Sequence, residues 1–202
     1  MRMTREAVVF AVSGVFFGIL VGWIIGSQQQ TFRPATGPAS APAAAQAAGG
    51  TPPRPLDEAR VRSLEALAQS SPSDAVVRVQ LGNLYFDAER FADAIRWYED
   101  ALRINPRDPN VSTDLGVAYY YTSQPDRALQ QFDHSLSIDP NHTKTMLNQG
   151  IVRAFGKQDL EGASKAWERV IALAPESPEG RAAKQALDSL KSAHPGLTGP
   201  GA

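Results

Sequence analysis

The sequence predicts an all-α chain: one N-terminal transmembrane helix, then an α-solenoid of three helix-turn-helix units with a capping helix at each end. Three observations carry that expectation. Residues 7–26 form an apolar run without a single charge. Pro72, Pro106 and Pro140 stand 34 residues apart, and Pro175 follows after 35. Between the prolines, apolar residues recur at steps of three and four, the spacing of one helix face.

Residues 1–6 carry Arg2 and Arg5 and are expected to stay in the cytoplasm. Residues 7–26 read as a retained anchor, because at 1.5 Å per residue a helix of this length spans about 30 Å, the hydrocarbon thickness of a bilayer. A cleaved signal would have a shorter apolar core and an earlier Ala-x-Ala than Ala39 to Ala41. The arginines before the span place the C-terminal body outside the cytoplasm, so the expected location is a single pass through the inner membrane with a periplasmic domain. Gly14, Gly18, Gly22 and Gly26 repeat every fourth residue and lie on one stripe of the span, where another helix backbone could approach closely. That stripe predicts packing against a membrane helix, including a second copy of the chain.

Residues 27–55 are expected to be a disordered tether, since 31–55 alone contain six Pro, eight Ala and three Gly. Its reach is about 25–30 Å as a coil and about 75 Å if extended as polyproline. Residues 56–71, with Leu56, Val61, Leu64 and Leu67 leading to Pro72, read as a capping half-repeat helix. The units then occupy 72–107, 108–141 and 142–176. Ser177-Pro178-Glu179 starts a last helix over 177–193, with Ser as N-cap, Pro in the first turn and an acid near the dipole. Residues 194–202 read as a flexible tail. Eight helices and no strand are expected outside the membrane.

Within the units Leu81-Gly82 matches Leu115-Gly116, Tyr85 matches Tyr119, Ala94 matches Ala128, Tyr98 matches Phe132 and Ala101 matches Ser135, each pair 34 apart. Small residues belong where the two helices of a unit cross, and large rings fill the space beside them. The third unit departs from this pattern. Gln149 and Arg153 replace the Leu and the first Tyr, and one extra residue is expected around the turn Gly156 to Asp159. Trp167 is expected to restore the volume lost at Arg153. Arg78 stands where a large apolar residue is usual, which suggests an end of the stack.

Leu-Gly, Tyr, Ala, an aromatic, a small residue and a terminal Pro every 34 residues resembles the tetratricopeptide repeat. The resemblance covers residues 73–175 and implies stacked units, each needing its neighbours to bury its apolar face. It also implies that the first helices line a groove for a peptide or helix of a partner protein. By position that groove is Val76, Val79, Asn83, Phe86 and Asp87, then Asn110, Thr113, Val117, Tyr120 and Tyr121, then Lys144, Leu147, Asn148, Ile151, Ala154 and Phe155. Phe86, Tyr120, Tyr121 and Phe155 would form an aromatic strip suited to an apolar peptide. Val79 and Val117 stand where a carboxylate clamp would place basic or amide groups, so no such clamp is expected.

Composition excludes other classes. The 202 residues carry 20 Lys+Arg and 21 Asp+Glu, and residues 56–191 carry 16 against 20, a net of −4, so no nucleic-acid partner is expected. Without cysteine there is no disulfide framework, thiolate metal site or thiol nucleophile. His134, His142 and His194 form no ligand spacing, and no nucleophile elbow or phosphate loop occurs. No enzyme activity, metal or cofactor is expected. The expected function is a membrane-tethered interaction scaffold. The alternatives are an assembly protein joined through its glycine stripe, and a protein similar to the tetratricopeptide proteins of cytochrome c maturation that hold apo-cytochrome.

Overall fold

The computed structural model describes residues 54–194 as helices with no strand among them. The expectations for residues 1–6, the span with Gly14, Gly18, Gly22 and Gly26, most of the tether, and the tail beyond His194 lie outside the described residues. Among those described, no helix is long and apolar enough to cross a membrane. The eight helices are α1 (Glu58–Ser70), α2 (Ala75–Asp87), α3 (Phe91–Ile104), α4 (Pro109–Tyr121), α5 (Pro125–Ile138), α6 (Thr143–Ile151), α7 (Leu160–Leu173) and α8 (Pro178–Ala193). A single π-helical turn, Val152–Gly156, continues α6.

Short polar residues set where these helices begin. The carboxylates of Asp57, Asp74, Asp108 and Asp159 accept from first-turn amides of α1, α2, α4 and α7, and Ser177 does the same for α8. Such caps satisfy amides that have no helical partner. Arg78 has its own reason to be polar. Its guanidinium donates to the carbonyls of Ala68, Ser71 and Asp74, so it closes the C-terminal end of α1 against α2.

The helices pack as pairs, α2 on α3, α4 on α5 and α6 on α7, and each also packs on the next in sequence. In every pair a glycine faces an aromatic ring. A Cβ on Gly82 would stand 2.4 Å from Tyr98, one on Gly116 2.5 Å from Phe132, and one on Gly150 2.2 Å from Trp167. All three rings are essentially buried. The pair angle is therefore fixed by a glycine against a ring, and the 34-residue spacing of that contact produces a regular stack.

The turn inside each unit repeats too. Glu89, Ser123 and Gln158 adopt φ of 56°, 61° and 56°, one left-handed residue per unit. The sequence separation is 34 and then 35, so the extra residue lies before Gln158. Its place is a correction to the expected turn insertion: the π turn absorbs it upstream, with Lys157 N–H reaching the Val152 carbonyl at 3.1 Å. Left-handed backbone costs a non-glycine residue about 1–2 kcal/mol. Ser123→Gly should thus raise stability by about 0.5–1 kcal/mol, read as a higher denaturant midpoint at constant slope. An unchanged or lower midpoint would contradict this reading of the turn.

Candidate functional site

The expected groove residues separate into surface and interior. Val76 is open, with 64% of its surface exposed, and Asn83, two turns further along α2, is exposed as well. Val79, Phe86, Val117, Tyr120, Tyr121 and Phe155 are half-buried. Five placements are corrected. Thr113 is 0% exposed, Leu147 2%, Asn148 and Ile151 4% and Ala154 6%, so none offers surface to a ligand. For Leu147 and Ile151 the reason lies in α6, which is buried continuously from Thr145 to Val152. It lies against α4 and α5 on one side and α7 and α8 on the other.

Thr113 is interior because it belongs to a hydroxyl cluster joining α4, α5 and α6. Its Oγ1 lies 2.6 Å from Thr145 Oγ1, and Ser135 Oγ lies 2.8 Å from the same atom. Ser135 also donates to the Pro109 carbonyl at 2.8 Å. Thr145 reaches His142 Nδ1, and His142 Nε2 faces Asn110 Oδ1 at 3.1 Å. Asn110 Oδ1 can only accept, so Nε2–H donates to it, and the Thr145 hydroxyl faces Nδ1 as an available donor to the neutral ring. The arrangement leaves no buried polar side-chain atom without a partner among the described residues.

Burial lowers the His142 pKa from its ordinary value of 6.5, with Lys144 acting in the same direction and Asp139, Asp114 and Asp108 opposing. A lowered folded value means that the unfolded chain binds more protons between that value and 6.5, so stability rises with pH across this window. The denaturation midpoint should increase from pH 5.5 to 7.5, and the increase should shrink in His142→Asn. An equal pH response in the variant would remove His142 as its source.

The aromatic strip is a cluster at one end of the first two units. Tyr121 stacks on Phe91 with centroids 4.4 Å apart and planes 8° apart, and Phe86 meets both rings edge-on at 5.9 and 5.1 Å. Tyr120 lies 6.2 Å from Tyr121, and a Cβ on Gly156 would stand 3.1 Å from its ring. Burial pushes both tyrosine hydroxyls upward. Phe91 was not among the expected residues. The signal for it is that positions 91, 125 and 160 hold Phe, Pro and Leu at the repeat spacing.

Asn83 combines exposure with a structural bond, since its Oδ1 accepts from the Tyr98 hydroxyl at 2.7 Å. Lys144 crosses from α6 to Asp114 of α4 at 2.7 Å; burial raises the Asp114 pKa and Lys144 opposes that rise. Glu99 accepts from the Tyr119 hydroxyl and, at 3.1 Å, from Arg127, whose guanidinium lies 3.9 Å above the Tyr119 ring. Burial first and Glu99 second push the Tyr119 hydroxyl up to about 12. Among the described residues, no group of three or more His, Cys, Asp or Glu side chains is arranged to hold a metal ion.

Paired helices in a regular stack, with a half-exposed face along their first members, define a tetratricopeptide-like solenoid. A family model described as TPR repeat matches residues 82–123, which supports the same assignment. Solved structures agree. The chain is similar to the crystal structure of MamA, with a TM-score of 0.62 and 18% identity, over 68% of this chain and 77% of that one. It is also similar to the first TPR of Spaghetti (RPAP3) bound to the HSP90 peptide SRMEEVD. There the TM-score is 0.54 at 28% identity, over 59% of this chain and 91% of that one. The first TPR domain of human RPAP3 gives 0.55 at 28% identity, over 61% and 94%. No curated protein matches the chain.

Proposed function

We propose that the protein is a membrane-tethered interaction scaffold whose groove, along α2 and α4, holds a peptide or helix of a partner protein. The observation that carries this reading is Val76. A valine 64% exposed on α2, with half-exposed Val79 and Phe86 on the same helix and half-exposed Val117 on α4, is apolar surface that a partner would cover. The peptide held by the first TPR of RPAP3 supports the same use of the fold. The half-exposed surface is largely apolar and aromatic, which favours a partner segment bearing apolar side chains.

Tethering rests on the uncharged run 7–26, and the orientation on Arg2 and Arg5 before it. In this reading the solenoid is extracytoplasmic and the 27–55 segment gives it reach. Holding a partner close to the membrane raises its effective concentration there without new contacts. The glycine stripe supplies a second reading, assembly of copies through Gly14, Gly18, Gly22 and Gly26. The partner in the first reading could be an apo-cytochrome tail, as in the maturation proteins that this layout resembles.

A photoreactive residue placed at position 76 of the full chain in native membranes tests the groove. It should give a discrete crosslinked product that the same probe at Ala92, exposed on α3, does not give. Equal products from both positions would overturn the groove as the working surface.

A further inference from the structure

We propose that the third unit carries a second binding site: a polar cleft between α5, α6 and α7 that takes one carboxylate side chain of a partner polypeptide. The cleft has a volume of about 500 Å³. It exists because the third unit lacks two large apolar residues. The first two units hold Leu81 and Tyr85, then Leu115 and Tyr119, all buried. At the same register the third holds Gln149 and Arg153, and both line the cleft. Trp167 does not fill it. That ring lies over Gly150, as Tyr98 lies over Gly82, and donates to the Leu147 carbonyl at 3.2 Å. The expected compensation for Arg153 is therefore corrected, and the space remains open.

The donor and acceptor inventory selects an anion. Asp159 is already engaged through both oxygens, by Arg153 at 2.7 Å and by the Gly162 amide at 2.9 Å. Glu161 accepts from Lys165 at 2.6 Å. The donors are less committed. Arg153 places one N–H on Asp159 and Arg169 places one on the Pro140 carbonyl at 2.6 Å, out of five on each guanidinium. Arg153, Lys165 and Arg169 line the cleft with Asp159 and Glu161, and a third carboxylate, Asp133, accepts from the lining Gln149 at 2.8 Å. A carboxylate can be gripped by a planar guanidinium through two parallel bonds, using the N–H groups that Arg153 and Arg169 keep in reserve. A phosphate dianion would crowd the carboxylates already there. Leu136 and Met146 supply apolar wall for the methylenes of a glutamate side chain, with Met146 1% exposed at the floor.

This site is separate from the groove. At about 100° per residue, Met146 and Gln149 lie on the side of α6 opposite Lys144, Leu147 and Ile151. It stands or falls without the groove reading. The π turn fits it, since the extra residue enters where Arg153 must be held toward Asp159.

The test is an NMR titration of the isotope-labelled full chain in detergent micelles with acetyl-Ala-Ala-Glu-Ala-Ala-amide, its Gln counterpart and free glutarate. The Glu peptide should shift the amides of Gln149, Arg153, Gly162 and Arg169 saturably, and leave Val76 and Asn83 in place. Its affinity should fall at least about fivefold in Arg169→Gln, an exposed change that leaves the core intact. Arg153→Tyr, which restores the residue type of the other units, should abolish the shifts. An absence of shifts at millimolar peptide, or equal shifts with the Gln peptide, would overturn the site. Glutarate binding as tightly as the peptide would overturn a polypeptide as its ligand.

Discussion

Trp167→Ala should destabilise the solenoid by about 3–5 kcal/mol and lower Tm by about 10 °C or more. Trp167 is the largest fully buried side chain, 1% exposed, and it fills the angle between α6 and α7 directly over Gly150. Its removal leaves a cavity next to a glycine, where no neighbouring Cβ can move in to fill it. It also removes the indole bond to the Leu147 carbonyl. Because units in a stack hold one another, the loss should also expose α8, which packs on both α6 and α7. Thermal unfolding by circular dichroism measures the effect. A loss under about 1 kcal/mol would show that this ring is not what joins α6 to α7.

Gly116→Ala should cost about 1–3 kcal/mol through overpacking, although alanine is the better helix former by about 1 kcal/mol. The added methyl would stand 2.5 and 2.8 Å from two atoms of the Phe132 ring and 3.1 Å from the Ala128 carbonyl. Phe132 is 0% exposed, so its ring cannot rotate away into solvent, and the backbone of Ala128 closes the other side. Steric conflict therefore outweighs the gain in propensity. Phe132→Leu in the same chain should recover part of the loss, giving a negative coupling in a double-mutant cycle. If Gly116→Ala stabilised the protein, the glycine-against-ring contact would not set the pair angle.

Those contacts are also why the fold was legible. Gly82, Gly116 and Gly150, their opposing rings and the terminal prolines repeat because each unit solves the same packing problem, and spacing alone exposes that repetition. The eight helices follow from it. The groove was less legible. Register names the helix face of Thr113, Leu147 and Ile151 but not how much of that face the neighbouring helices cover, and here α6 is enclosed on both sides. Asn83 reads as a ligand-facing amide, yet it also anchors the Tyr98 hydroxyl, a contact across 15 positions that spacing does not reveal. Glu99 ties α3 to Tyr119 and Arg127, contacts across 20 and 28 positions that spacing does not reveal either. Gln149 and Arg153 stood out as departures from the repeat. Their consequence, an open cleft instead of a refilled core, depends on where Trp167 points.

The extra residue in the third unit shows the same limit. Counting from Gly150 to Ala163 reveals it, but chain length cannot say whether a turn or a helix absorbs it. A π turn at Val152–Gly156 keeps Gln158 in the left-handed position held by Glu89 and Ser123, so the following helix re-enters the repeat in register.

The central claim is that the open apolar face around Val76 is what a partner recognises. The most direct measurement is capture from native membranes by the parent chain and by Val76→Glu, with recovered proteins quantified by mass spectrometry and both chains checked for equal Tm. Val76 is exposed, so the substitution places a charge on the surface of α2 without disturbing the core. The account predicts a partner enriched by the parent and reduced at least about tenfold with the variant, the effect of about 1.4 kcal/mol of lost binding. Equal recovery by two equally stable chains would contradict it and remove the function from this groove.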